Sequence, residues 1–204
     1  MKLLHIDSSI LGTNSASREL GKAWVESWRT GHRDSNVSYR DLVADPLPHL
    51  SGEVVATRFG AAVLSPEVER LVAQDDAVLA EFLAADVVVL GAPMYNFSIP
   101  SQLKAWIDRI AVAGKTFRYT ERGPEGLVKG KKVVVISSRG GVYSSGPAAA
   151  FDHQESYLRS VLAFLGVTDV EFIRAEALNM GAEKRAESIA AAHRTIEAPL
   201  PLAA

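Results

Sequence analysis

Short apolar runs alternate along the chain with longer stretches whose apolar residues recur at helical spacing, which predicts β-α units around a parallel sheet. The first run, Lys2–Asp7, leads through a loop rich in Ser, Gly and Asn into a helix with Leu20, Ala23, Trp24, Ser27 and Trp28 on one face. Gly31 reads as its stop. Ser65, Pro66 and Glu67 supply an N-cap, a first-turn proline and an acid suited to the helix dipole, ahead of Val68, Leu71, Val72, Leu79 and Phe82. The stretch before them, with Pro46, Pro48 and Gly52, is expected to be irregular. Residues 86–92 and 132–137 are nearly continuous apolar runs, as in strands covered on both faces, whereas residues 37–42 and 170–174 interleave polar side chains. That contrast puts the apolar runs in the middle of a five-stranded parallel sheet and predicts the strand order 2-1-3-4-5. Helices are predicted after the third strand (Leu103, Trp106, Ile107, Ile110), the fourth (Tyr157, Leu158, Val161, Leu162, Leu165) and the fifth (residues 182–196), covering both faces in a three-layer α/β sandwich. The tail from Pro199 is expected to be loosely held. Residues 114–130 are too long and too aromatic for a minimal connection and are expected to form an active-site flap or a subunit contact.

Composition narrows the class of protein. A chain of 204 residues, 48% hydrophobic and 23% charged, suits one globular domain spanning residues 1–204. The formal net charge of −2, with basic and acidic residues intermingled, offers no basic stripe for a phosphate backbone, so nucleic acid is not an expected partner. The lack of cysteine excludes disulfides, thiolate metal ligands and a cysteine nucleophile, leaving redox chemistry to a bound cofactor and making a cytoplasmic location the expectation. The opening Met1-Lys2-Leu3-Leu4-His5-Ile6-Asp7 meets charge too soon for a secretory signal, and no later run is long enough for a bilayer, so no membrane association is expected.

In an open parallel sheet, ligands bind beyond the carboxyl ends of the strands, so the loops after strands one, three and four should meet there. The first contains Ser9, Ser15 and Ser17 ahead of a helix, whose hydroxyls, free N–H groups and dipole suit a dianionic phosphate. The same serines suit a turn and an N-cap, and this loop alone leaves both readings open. The second sets Met94, Tyr95, Asn96 and Phe97 between two prolines, which can hold backbone donors beside a flat apolar ring or can be a packed connection. The third, Ser138, Arg139, Gly140 and Gly141, permits close backbone approach to a ligand or makes a simple turn. Other chemistries lack their signatures. The five histidines have no metal-ligand spacing, and residues 126–131 precede a strand where a phosphate-binding Walker loop would follow one. A hydrolase built from Ser9, His153 and Asp152 would lack its nucleophile elbow, and Asp7 lacks the acidic pair of a phospho-acceptor site. No metal site is therefore expected.

Taken together, the serine-rich first loop, Ala-Pro-Met-Tyr-Asn-Phe at residues 92–97, Thr-Phe-Arg-Tyr-Thr-Glu at 116–121 with Gly-Pro-Glu-Gly-Leu at 123–127, and Ser-Arg-Gly-Gly at 138–141 resemble the FMN-dependent azoreductase and quinone-reductase family. The likeness spans nearly the whole chain. It implies a flavodoxin-like fold, with the residues matching Ser9, Ser15, Ala16 and Ser17 on the FMN phosphate. Those matching Met94, Tyr95, Asn96, Phe97, Ser138, Arg139, Gly140 and Gly141 would line the flavin, and those matching Tyr119 and Phe164 would lie near the substrate. The resemblance also implies a homodimer with one FMN per subunit. Its reaction would carry hydride from NADH or NADPH through FMN to quinones and azo compounds in ping-pong order, with no obligatory side-chain acid or base. Backbone N–H groups around Asn96 and Phe97 would hold one edge of the flavin, and those of Gly140 and Gly141 its pyrimidine end. A flavodoxin-type electron carrier or flavin-sensing protein is the competing class. Such carriers tend to be strongly acidic, and the near-neutral charge here, with the aromatic insertion, favours the enzyme.

Overall fold

Alternate residues of each central strand serve two separate cores. In the computed structural model, which describes residues 1–62 and 65–198, the chain forms β1 (Lys2–Asp7), α1 (Ala16–Gly31), β2 (Asn36–Asp41), α2 (Gly52–Thr57), α3 (Pro66–Ala84) and β3 (Val87–Pro93). It continues with α4 (Ser101–Ile110), β4 (Phe117–Thr120), β5 (Gly123–Gly126), β6 (Lys132–Ser138), α5 (Glu155–Leu165), β7 (Asp169–Ala175) and α6 (Ala182–Glu197). Leu4, Ile6, Val88, Leu90, Val133 and Val135 pack on one face against α3, α4 and α5, through residues such as Phe82, Trp106 and Leu162. Leu3, Val87, Val89, Val134 and Ile136 pack on the other against Leu20, Trp24 and Trp28 of α1 and Ala192 and Ile196 of α6. This two-sided burial explains the unbroken apolar runs of β3 and β6. The expected tail from Pro199 lies outside the described residues.

The five-stranded parallel sheet has the order β2-β1-β3-β6-β7, with Leu4, Val88, Val133 and Val170 in register across four of its strands. The last two places go to the sixth and seventh strands of the chain, not the fourth and fifth. The reason is that residues 114–130 contribute an antiparallel hairpin of their own, β4 with β5. Ser65 caps α3 as its sequence predicts, its side chain accepting from the Val68 N–H. The stretch expected to be irregular contains α2, six residues capped by Ser51 and burying only Val54, too short to show a periodic face.

The hairpin is fastened at the amino-terminal end of the sheet. Thr116 is buried where α4 ends, its Oγ1 donating to the Ile110 carbonyl at 2.6 Å and accepting from the Val112 N–H at 3.0 Å. The Val128 N–H, just ahead of β6, donates to the Leu165 carbonyl at the last turn of α5 at 2.9 Å. Gly126 lies so close to this turn that a Cβ on it would stand 2.2 Å from the Gly166 nitrogen. Among the described residues no helix is long and apolar enough to cross a membrane.

Candidate active site

The loops after β1, β3 and β6 meet at the carboxyl ends of the strands and are tied to one another. Ser8 Oγ donates to the Gly91 carbonyl at 2.6 Å, and the Tyr95 hydroxyl accepts from the Ile10 N–H at 3.1 Å while lying 3.2 Å from Ser9 Oγ. The Met94 N–H donates to the Ser138 carbonyl at 2.8 Å, which joins the second loop to the third. The three segments picked out in the sequence therefore share one end of the sheet.

In the first loop, Ser9, Ser15, Ala16 and Ser17 are all buried. Ser15 caps α1 by accepting from the Arg18 N–H, and its hydroxyl lies 3.1 Å from that of Ser17. The Ala16 and Ser17 N–H groups, at the positive end of the helix, have no acceptor among the described residues. Arg18 bears on the loop from behind. Its Nε and Nη2 donate to the Ser9 carbonyl at 3.1 and 2.9 Å, and its guanidinium holds Asp41 with contacts of 2.6 and 2.8 Å. That pairing holds the Asp41 carboxyl below the usual carboxylate range, and Arg18 is raised chiefly by the same bond. Burial, with the Tyr39 hydroxyl donating to Asp7 at 2.8 Å, pushes Tyr39 up to about 12. Arg18, paired with Asp41 and 3.6 Å from Asp7, thus fixes the serine loop through the Ser9 carbonyl.

In the second loop, Tyr95 and Ser98 exchange backbone hydrogen bonds of 2.9 and 3.1 Å across a tight turn. Asn96 and Phe97 at its tip have φ of 49° and 72°, two consecutive non-glycine residues in the left-handed region. Such residues cost of order 1–3 kcal/mol each and persist where the surroundings hold them. Here the Phe97 carbonyl accepts from the His153 N–H at 3.1 Å, while the Asn96 and Phe97 N–H groups have no acceptor among the described residues. The Phe97 ring is 47% exposed, with Tyr143 at 6.2 Å and Phe151 at 5.6 Å between ring centroids. These rings form an apolar wall.

In the third loop, the carbonyls of Arg139, Gly140 and Gly141 accept from Leu178, Asn179 and Ala177 at 3.1, 2.9 and 2.9 Å. The N–H groups of Gly140 and Gly141 again have no acceptor among the described residues. Arg139 turns away from the loop. Its N–H donates to the Ala175 carbonyl, and its wholly buried guanidinium meets Ser137, Gln154, Asp152, Glu155 and Glu176. Gln154 continues this network by donating to the Ala92 carbonyl at 2.7 Å, beneath the second loop.

The donor set fits an FMN molecule. Hydroxyls and open N–H groups at the start of α1 suit a phosphate, and open N–H groups on two loops suit the polar edges of a ring lying on apolar side chains. Tyr119 and Phe164 are elsewhere. Phe164 sits next to Leu165 at the far end of α5, about 15 Å of helix from Glu155. It packs on Phe117 at 4.4 Å, which in turn meets Tyr119, 75% exposed on the hairpin. His153 and Asp152 belong to the loop ties and the Arg139 network, and no group of three or more metal-ligating side chains occurs among the described residues. Sequence reasoning missed Arg18, Gln154, Glu176 and Ala177. Arg18 alone carried a signal, being the basic residue one turn into the helix that follows the serines.

Comparison with known proteins places the chain in a family. Residues 1–200 match a family described as having a flavodoxin-like fold. The chain is 59% identical over 196 residues to a protein of Sinorhizobium fredii named FMN-dependent NADH:quinone oxidoreductase, covering 96% of this chain and 95% of that one. The crystal structure of an azoreductase from Bacillus anthracis superposes with a TM-score of 0.89 at 34% identity, over 97% of each chain. An FMN-dependent NADH-azoreductase of the same species, solved in complex with FMN, superposes with a TM-score of 0.88 at 27% identity over 97% of this chain and 96% of its own. With matching extending over nearly its whole length, the chain belongs to the flavodoxin-like family that contains these quinone oxidoreductases and azoreductases.

Proposed function

We propose that this protein is an FMN-dependent oxidoreductase that uses NADH or NADPH to reduce quinones and azo compounds, working as a homodimer. The observation that carries this reading is the convergence of three sets of open backbone donors, on α1, at Asn96–Phe97 and at Gly140–Gly141, at one end of the sheet. Bound FMN supplies two-electron chemistry, taking hydride from the nicotinamide and passing it to the acceptor after the oxidised nucleotide has left. The chain binds and orients. Ser9, Ser15, Ala16 and Ser17 hold the phosphate without a metal, and Arg18, its charge paired with Asp41, fixes their loop through the Ser9 carbonyl. Met94, Tyr95, Asn96 and Phe97 border the ring, with the strained Asn96 and Phe97 presenting their N–H groups. Ser138, Gly140 and Gly141 meet its other end, and Arg139 braces them from below. Phe97, Tyr143 and Phe151 supply the wall against which a flat acceptor stacks. That exposed wall, in a chain of near-neutral charge, favours a reductase over an electron carrier docking on a basic protein.

Tyr119 and Phe164 serve the crevice of the partner subunit. The hairpin is fastened at the amino ends of the strands, so Tyr119, exposed on it beside the core-packed Phe117 and Phe164, lies far from the crevice of its own chain and can cover another.

Anaerobic titration tests the reading. NADH or NADPH should bleach one equivalent of bound FMN, a naphthoquinone added afterwards should restore its colour, and steady-state double-reciprocal plots should be parallel. Failure to bind FMN, or a bound flavin that neither nucleotide reduces, overturns the function. Converging lines overturn the ping-pong order.

A further inference from the structure

The two-glycine loop after β6 is bonded along its carbonyl side and open along its N–H side. Three successive carbonyls, of Arg139, Gly140 and Gly141, are taken up by the N–H groups of residues 177–179. Ala177 reaches this position with φ of 58°, a left-handed conformation that alanine rarely adopts without surrounding constraint. The residue before it, Glu176, clamps the loop exit. One carboxylate oxygen accepts from the Tyr143 and Ser144 N–H groups at 2.8 and 2.9 Å, and the other accepts from the Ser144 hydroxyl. The first oxygen also pairs with Arg139 Nη1 at 3.2 Å. Arg139 in turn is fixed by Asp152 and Glu155 at the start of α5, and Glu155 is held by Arg174 of β7 at 2.7 Å. Burial alone would raise Glu176, but the bonds from Ser144 and Tyr143 and the charge of Arg139 outweigh it and hold the carboxyl below its usual range. The carboxylate is therefore a permanent acceptor at neutral pH.

We propose that Glu176, braced by Arg139, is a positioning residue that aims the Gly140 and Gly141 N–H groups at the pyrimidine end of bound flavin and so sets how much more tightly reduced FMN is held than oxidised FMN. The proposal rests on the FMN-binding function above. Glycines are the residues least able to hold a direction by themselves, so the fixed direction of these donors must come from what grips the loop. Reduction adds negative charge to that end of the flavin. Donors fixed in advance stabilise the developing charge without reorganising, whereas donors free to swing lose part of that difference. The charge of Glu176 opposes this effect while its geometry produces it, and the two can be separated.

Glu176→Gln and Glu176→Ala remove the same charge, but only glutamine leaves an oxygen to accept from Tyr143 and Ser144. The midpoint potential of bound FMN is measured by dye equilibration, together with the Kd of oxidised FMN and the Tm of each variant. The expected result is that E176A prefers reduced FMN roughly tenfold less than E176Q, a potential about 30 mV more negative for a two-electron couple. Equal potentials in the two variants overturn the proposal whatever happens to Tm, because a carboxylate that only stabilises the fold affects both redox states alike. If E176A does not fold, Glu176→Asp replaces it, keeping the charge but falling one methylene short of the loop. Its potential should lie below that of the unaltered protein, and equality overturns the proposal. An unaltered chain that takes up no FMN overturns the functional reading, whereas FMN binding with indifferent variants overturns this proposal alone.

Discussion

Ser15 and Ser17 are neighbours in space with different work. Ser15 caps α1, while the Ser17 hydroxyl, fully buried, bonds among the described residues only to Ser15 and sits beside the open N–H groups that begin the helix. Hydrogen bonds to a charged group contribute ~1.5–3 kcal/mol, so Ser17→Ala should weaken FMN roughly ten- to a hundredfold and leave riboflavin unchanged. Equal weakening of both ligands in fluorescence titrations would make Ser17 a fold-stabilising residue only. The paired carboxylates give a second expectation. Asp41 and Glu176 titrate below their ordinary values of 3.8 and 4.5 in the folded chain, so their contribution is complete above those values and is lost as pH falls through the lower folded ones. Urea unfolding between about pH 3 and 6 should therefore show stability falling on the acid side, with a shallower fall in Asp41→Asn. An identical slope in that variant would remove Asp41 from the account.

The hairpin β4–β5 shows what glycine does when two backbones touch. A side chain on Gly126 would overlap the backbone of Leu165 and Gly166, so Gly126→Ala must push the hairpin off the end of α5. Overpacking of this kind costs typically about 1–3 kcal/mol, so the variant should melt lower than the unaltered protein, and an unchanged Tm would mean that the contact yields without strain. The elements that the sequence made legible are those whose burial is local and periodic. β3 and β6 announce themselves because their runs of valine, leucine and isoleucine alternate between two cores, and α3 because Ser65 and Pro66 mark its start. The strands of the hairpin were not legible, since Gly-Pro-Glu-Gly in β5 has no strand character and is held by pairing and by contact with α5. The serines, the 94–97 segment and the two glycines were legible as chemistry. Ala177 was not, because nothing in an alanine announces a positive φ, and Glu176 matters only through partners more than thirty positions away, such as Tyr143 at 33.

At the scale of the molecule, the crevice and the aromatic hairpin occupy opposite ends of one sheet. A closed two-fold dimer, the commonest soluble oligomer, lets each end meet its counterpart. Sedimentation should therefore show dimers, and dilution into dissociating conditions should lower turnover and release FMN together. A fully active, FMN-saturated monomer would sink the dimer reading while leaving the fold untouched. Tyr119→Ala should raise the KM for the acceptor with FMN affinity in the subunit nearly unchanged, as measured by steady-state kinetics beside flavin titration.

The fastening of the hairpin at the amino ends of the strands also bears on inheritance of specificity. If one chain supplies the flavin seat and its neighbour the roof, acceptor choice is not the property of any single polypeptide. In a cell expressing two related copies of such a chain, mixed pairs would each carry two unlike pockets, and an alteration confined to one hairpin would be felt only by its neighbour. Coexpression of a Ser17-defective chain with a Tyr119-defective one should accordingly yield mixed dimers in which one pocket of the two is whole, recovering turnover at low FMN and low acceptor concentrations that neither parent reaches alone.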